Sequence, residues 1–260
     1  MDTSKQPSAL AIPPPLCLGT AQTTRRPLKD VLDEAYSVGF RHFDFADNYA
    51  HHHPQYVEHV RHFVQAHNRH TWTMTWKTST MTVAHVKSLL TELGCEYFDI
   101  LMTHHGCTEA EMVILADCKQ QGLTRLVGVS NVYDVDFLSK HGDAIQVNQV
   151  QAQHIDNTSL GERGPALRAC IDNGIMLMLY APVSGILDGL FTNKVDTVQY
   201  QSPQHVATWY KQHWPPPHIL VVGTVTGESM SANVAGAAGE LPPRMSDFMS
   251  TVQLTPMNGS

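Results

Sequence analysis

The chain is short of cations. Its 260 residues carry 17 Lys and Arg against 24 Asp and Glu, a formal net charge of −7 with His neutral. A phosphate-backbone binder needs a basic face, so nucleic acid is not expected as a partner. Cysteine is sparse as well. The five cysteines, Cys17, Cys95, Cys107, Cys118 and Cys170, are odd in number and form no CxxC pair. They read as reduced thiols of a cytoplasmic protein, not as a disulfide framework. Long apolar runs are missing. The longest, Gly174 to Leu187, contains Pro182 and is too short to span a bilayer. The opening residues MDTSKQPSALAIPPP lack the apolar core of a signal peptide. No membrane association is expected. Heptads and an apolar exposed stripe are also absent, which leaves a monomer as the default. Charged residues make up only 16% and hydrophobic residues 42%, the balance of a core-forming chain and not of a disordered one.

What is present is alternation. Short β-rich apolar runs occur at Leu16–Leu18, His42–Asp44, Trp72–Trp76, Asp99–Thr103, Arg125–Val129, Ile145–Gln149, Ile175–Tyr180 and Ile219–Val222. Amphipathic runs lie between and after them, at Leu28–Val38, Gln55–Ala66, Val83–Leu93, Glu109–Gln121, Val135–Lys140, Pro165–Asn173, His205–His213 and Ser229–Ala238. In Val83–Leu93 the apolar positions 83, 86, 89, 90 and 93 form one helical stripe. Strand–helix pairs repeated in this way predict a single-domain α/β chain, a (β/α)8 TIM barrel over residues 16–241. Residues 1–15 are read as an irregular arm, 242–260 as a loose tail, and 188–203 as a loop over one mouth. A doubly wound sheet is the competitor. It would place G-x-G-x-x-G after its first strand, where this chain has Gly19-Thr20-Ala21-Gln22.

Barrel chemistry sits at the C-terminal ends of the strands. Read there, the chain offers Asp44 and then Tyr49 after the second strand, Lys77 after the third and His104 after the fourth. Ser130-Asn131, Asn148-Gln149, Tyr180 and Gly223-Thr224 follow at the later ends. A buried Lys needs a carboxylate, and Asp44 on the neighbouring strand can supply it. A Lys beside a phenol favours the phenolate, so Tyr49 is expected to be an acidified proton donor. His104 could then hold a carbonyl oxygen. The four together suit protonation of a carbonyl while a hydride arrives at carbon. The plain alternative is structural, a core ion pair and a packed ring.

These stretches resemble the aldo-keto reductase superfamily. The resemblance is carried by LCLGTAQ (16–22), GFRHFDFADNY (39–49), TWKTST (75–80), CEYFDILMTH (95–104), GLTRLVGVSN (122–131), QVNQVQAQH (146–154), GIMLMLYAPVSGIL (174–187) and ILVVGTVT with SAN (219–233). It implies an NADP(H)- or NAD(H)-dependent reductase acting on a small carbonyl substrate. Asp44, Tyr49, Lys77 and His104 would be its catalytic tetrad. Ser130, Asn131 and Gln149 would hold the nicotinamide carboxamide and Tyr180 would stack on the ring. Gly19, Thr20, Val183, Gly185, Leu187, Gly223 and Thr224 would line the dinucleotide, and Asn233 would face the adenine end.

The chain departs from the family pattern in several places. Where relatives that prefer the phosphorylated cofactor usually place cations, it has Gly223 and Ser229. The segment after His104 is short, Ala21 replaces an aromatic, and Ala50-His51-His52-His53 replaces the usual Asn-Glu. An open substrate site is expected. Two rival readings follow: a barrel that has lost redox turnover and serves as a binding subunit, and a non-redox acid–base catalyst using Tyr49 and His104. Of the 16 histidines, His51–His53, His59, His62, His67 and His70 cluster in sequence, but no ligand spacing for zinc occurs and no metal is expected.

Overall fold

Eight strands close on one another in sequence order, every neighbouring pair parallel, so that β8 hydrogen-bonds back to β1. They are β1 (Leu16–Gly19), β2 (His42–Ala46), β3 (Thr73–Thr78), β4 (Phe98–Thr103), β5 (Thr124–Ser130), β6 (Val147–Gln151), β7 (Met176–Tyr180) and β8 (His218–Val222). The surrounding helices are α1 (Leu28–Ser37), α2 (Tyr56–Ala66), α3 (Val83–Leu93), α4 (Glu109–Gln120), α5 (Val135–Lys140), α6 (Leu160–Asp172) and α7 (Gly227–Ala238). The computed structural model describes residues 13–21, 26–51, 55–152, 160–181, 218–224 and 226–238, with only the backbone for 160–163. The expected helix His205–His213, loop 188–203, tail 242–260 and most of the N-terminal arm lie outside the described residues. The architecture is the expected (β/α)8 barrel.

Local chemistry sets the element ends. Thr82 caps α3 by accepting from the His85 N–H, and Gly94 closes it at φ +73°. Thr108 and Glu111 form a reciprocal capping box on α4, and Asp134 caps α5. Two expectations shift. α6 begins at Leu160 and not at Pro165, which lies inside it. β6 runs Val147–Gln151 and not Ile145–Gln149, because the Ile145 N–H is spent on the His141 carbonyl.

Alternate strand residues face opposite sides of the wall. The inner set includes Cys17, Ile100, Met102, Val147, Met178 and Val221, which fill the barrel. Gly128 makes room there, since a Cβ would meet the Met102 methyl at 2.7 Å. The outer set packs on the helices, with Phe43, Phe63 and Trp72 in an aromatic cluster at centroid distances of 4.8–5.7 Å. Burial of such rings is the main stabilising term, and truncating one costs about 3–5 kcal/mol. The strand-entry end is tied by charge. Asp99 takes Arg69 at 2.5 Å, Arg125 at 3.3 Å and the Met74 N–H at 2.8 Å. The opposite end remains for chemistry.

Candidate active site

At the strand-exit end, β2 delivers Asp44 and β3 delivers Lys77 into the same interior space. Their side chains form an ion pair, 4% and 1% exposed respectively. Two charges at that depth survive only when both are paired and hydrogen-bonded. The second Asp44 oxygen is met from across the barrel, where Gln149 Nε2 on β6 donates to it at 3.0 Å. The Asp44 carbonyl accepts from the Thr20 hydroxyl at 2.8 Å and from the Thr20 N–H at 3.3 Å. Because the Thr20 proton is spent there, the buried Tyr56 hydroxyl donates to Thr20 Oγ1 at 2.6 Å. β3, β6 and the residue that follows β1 thus converge on one aspartate of β2, with Tyr56 of α2 behind Thr20.

Tyr49 sits just beyond, on a short 3-10 turn, Asp47–His51, that leaves the end of β2. Its ring meets that of His104 at 5.5 Å and that of Tyr56 at 6.0 Å, both edge-on. The Lys77 ammonium lies 5.3 Å from the ring centroid. The four expected catalytic residues therefore converge at one mouth. One expectation is overturned. Tyr49 is not acidified: burial, then the negative charge of Asp44, pushes its phenol well above the ordinary tyrosine value. The Lys77 charge is spent on Asp44 and does not offset this. His104 moves the other way. Burial, then the Lys77 charge, then His105 lower it to about 4, so its imidazole is neutral at neutral pH.

A cleft of ≈ 530 Å³ opens over these groups. Of the expected residues, Gly19, Asp44, Tyr49, His104, Ser130, Asn131, Gln149, Tyr180 and Gly223 line it. The amide-rich wall is preorganised. Asn131 adopts φ +58°, donates to Ser130 Oγ at 3.2 Å and accepts from the Tyr180 hydroxyl at 3.0 Å. A hydroxyl, two carboxamides and a phenol offer both donors and acceptors, which is the set a nicotinamide carboxamide requires. Among the described residues nothing lies within 4 Å of a Cβ placed at Gly223.

Thr20 and Thr224 are buried and do not line the cleft. Asn233 is buried on α7 and donates to the Ser229 carbonyl at 2.8 Å, so its amide is used within its own helix. Val183, Gly185 and Leu187 lie outside the described residues. His105, at the same strand end as His104, also lines the cleft, and its ring stacks on His104 at 4.2 Å. Gln151 lines it too, since β6 extends two residues further than the pattern suggested. Of the histidine cluster, His67 is held by Asp33 at 3.0 Å, and His52 and His53 lie outside the described residues.

The sequence profile of the Aldo/keto reductase family matches residues 15–217. No curated protein matches the sequence. Among solved structures, an aldo-keto reductase from Klebsiella pneumoniae in complex with NADPH superposes with a TM-score of 0.73 at 18% identity, covering 95% of each chain. The aldose reductase of Giardia lamblia superposes at 0.72 and 18% identity, covering 97% of this chain and 100% of that one. A Bombyx mori aldo-keto reductase in complex with NADP gives 0.68 and 17%, covering 92% and 89%. At these identities the likeness speaks for the fold.

Proposed function

The chain belongs to the aldo/keto reductase family, and on that premise we propose that it reduces an aldehyde or ketone to an alcohol with NADPH or NADH, Tyr49 donating the proton. The observation that carries this reading is the convergence of Asp44, Lys77, Tyr49 and His104 beneath a cleft whose other wall is a nicotinamide-like donor and acceptor set.

The bound cofactor supplies the hydride. The chain's own residues do the rest. Ser130, Asn131 and Gln149 would hold the carboxamide, and Tyr180 would lie against the ring. His104, neutral, presents an N–H to the substrate oxygen without adding a full charge. Tyr49 stays protonated across neutral pH and passes its proton to the oxygen as negative charge builds there, because an alkoxide is the stronger base. Lys77 and Asp44 neutralise one another beneath it and fix the local field. With Gly223 and Ser229 at the positions where cations would grip a 2′-phosphate, NADH should serve at least as well as NADPH. Among the described residues the large exposed apolar side chains are Val113 and Val135, which supports a monomer. No helix among those residues is long and apolar enough to cross a membrane, and a cytoplasmic location is part of the proposal.

The test is a fluorescence titration with each nicotinamide cofactor, followed by carbonyl-dependent oxidation of the one that binds. Tyr49→Phe should abolish turnover and leave binding nearly unchanged. If neither cofactor binds at millimolar concentration the proposal fails. Product formation without nucleotide that still needs Tyr49 would point to acid–base chemistry alone.

A further inference from the structure

Tyr49 rides on five residues of 3-10 turn, a geometry with poorer hydrogen bonds than an α-helix and little rigidity of its own. Its ring meets those of His104 and Tyr56 edge-on. Something else must fix the turn, and the first residue of the turn does so. Asp47 Oδ2 accepts the hydroxyl proton of Thr78, the last residue of β3. The direction of that bond is set because a carboxylate oxygen accepts; Thr78 Oγ1 in turn accepts from the Thr80 N–H at 3.0 Å. His85, in the first turn of α3, brings Nε2 to the same Asp47 oxygen at 3.3 Å. The other oxygen, Oδ1, is buried with no partner among the described residues. A freely turning carboxylate would satisfy it in water, so the side chain is held in place at a cost.

We propose that Asp47 is a positioning residue for the proton donor, tying the Tyr49 turn to β3 through Thr78 and to α3 through His85. The proposal rests on the reductase reading for its effect on turnover, but not for its effect on where Tyr49 sits. β3 then serves the site twice with consecutive residues: Lys77 faces inward to Asp44, and Thr78 faces outward to Asp47. A displacement of about 1 Å in a reacting group can cost on the order of 100-fold in rate.

The experiment compares Asp47→Ala, Asp47→Asn and Thr78→Val with Asp33→Asn, a control that weakens the contacts of Asp33 to Lys29 and His67. Cofactor affinity, kcat and the 13C spectrum of tyrosine ring-labelled protein are measured, with the Tyr49 signal assigned from Tyr49→Phe. The expected result is a kcat about 10- to 100-fold lower in Asp47→Ala with cofactor affinity within about twofold. The Tyr49 signal should be displaced in Asp47→Ala and Thr78→Val, and both readouts should return in Asp47→Asn, which keeps the acceptor. Thr78→Val keeps the question answerable if Asp47→Ala does not fold. An unmoved Tyr49 signal overturns the proposal, and so does a loss of kcat no greater than that of Asp33→Asn. If the wild type never oxidises either cofactor, the reductase reading fails by itself, and the spectrum still decides whether Asp47 places the ring.

Discussion

Gln149 on β6 donates to Asp44 on β2 across the full width of the barrel, at 3.0 Å. With Lys77 on the other oxygen, the carboxylate is engaged from two opposite walls. The amide that would hold the cofactor is therefore also part of the support of the ion pair. Gln149→Leu strands a buried carboxylate oxygen and should cost about 1–3 kcal/mol of stability while raising the KM for cofactor. Gln149→Glu should cost more, because it sets a second carboxylate against the first. Urea unfolding and steady-state kinetics on the two variants check this. Equal stability of Gln149→Glu and wild type would contradict it.

Breaking the pair from one side should be worse than removing it. Lys77→Met leaves Asp44 buried and uncompensated, with an expected loss of about 3–5 kcal/mol. The double variant Asp44→Ala with Lys77→Met should be more stable than the sum of the single losses predicts. Chemical denaturation of the four proteins measures the coupling. Strict additivity would mean that the two charges do not depend on one another.

Acid should unfold this protein earlier than its carboxylates alone require. His42 is fully buried, bonded to the Pro14 carbonyl at 3.2 Å and the Thr75 hydroxyl at 2.8 Å, and burial lowers it to about 4. In the unfolded chain a His titrates near ~6.5. Between those values the unfolded state takes up a proton that the folded state refuses. The contribution is therefore fully present above about pH 6.5 and is lost as pH falls towards 4, by about 3 kcal/mol at most. His104 acts in the same direction. Urea midpoints at decreasing pH should fall, and His42→Gln should flatten the slope.

The same shifts predict the shape of the activity profile. His104 is neutral over the working range and Tyr49 is protonated throughout it. Reduction should show no inflection from either group between about pH 5 and pH 8. A titration near neutrality that disappears in His104→Gln would show an imidazole far less shielded than this one.

Cofactor choice should be easy to move. Gly223 is exposed, and nothing among the described residues lies within 4 Å of a Cβ placed there. Gly223→Lys, alone or with Ser229→Arg, should improve the affinity for NADPH about tenfold and leave that for NADH almost unchanged, since one charge-assisted contact is worth about 1.5–3 kcal/mol. Competitive titration of the two cofactors gives the ratio. No change would mean that the 2′-phosphate lies elsewhere.

Much of this was legible in the sequence. Parallel strands buried on both faces read as apolar runs, so isolated polar residues at their ends, Asp44, Lys77 and Gln149, stood out at once. Most strand boundaries fell within one or two residues. Two kinds of information stayed hidden. Pro165 looked like the start of a helix, but α6 takes it up inside, which a local rule does not anticipate. The acidity of Tyr49 is not legible in spacing, which shows that a lysine is near but not that its charge is already committed. Asp47, Thr78 and His85 come together only when a turn, a strand end and a helix start meet in space, and no period links them. His105 shares its strand end with His104, and only the fold shows that it is a wall of the cleft.

The adjacency of Lys77 and Thr78 has a consequence for how the chain fails. A slip of β3 by one residue against β2 would send the ammonium out among the helices and bring the hydroxyl into the barrel. The local field and the placement of the proton donor would vanish in the same event. Misregistered molecules would therefore be wholly inert, so a partly misfolded preparation should contain fewer competent enzymes but none of intermediate quality.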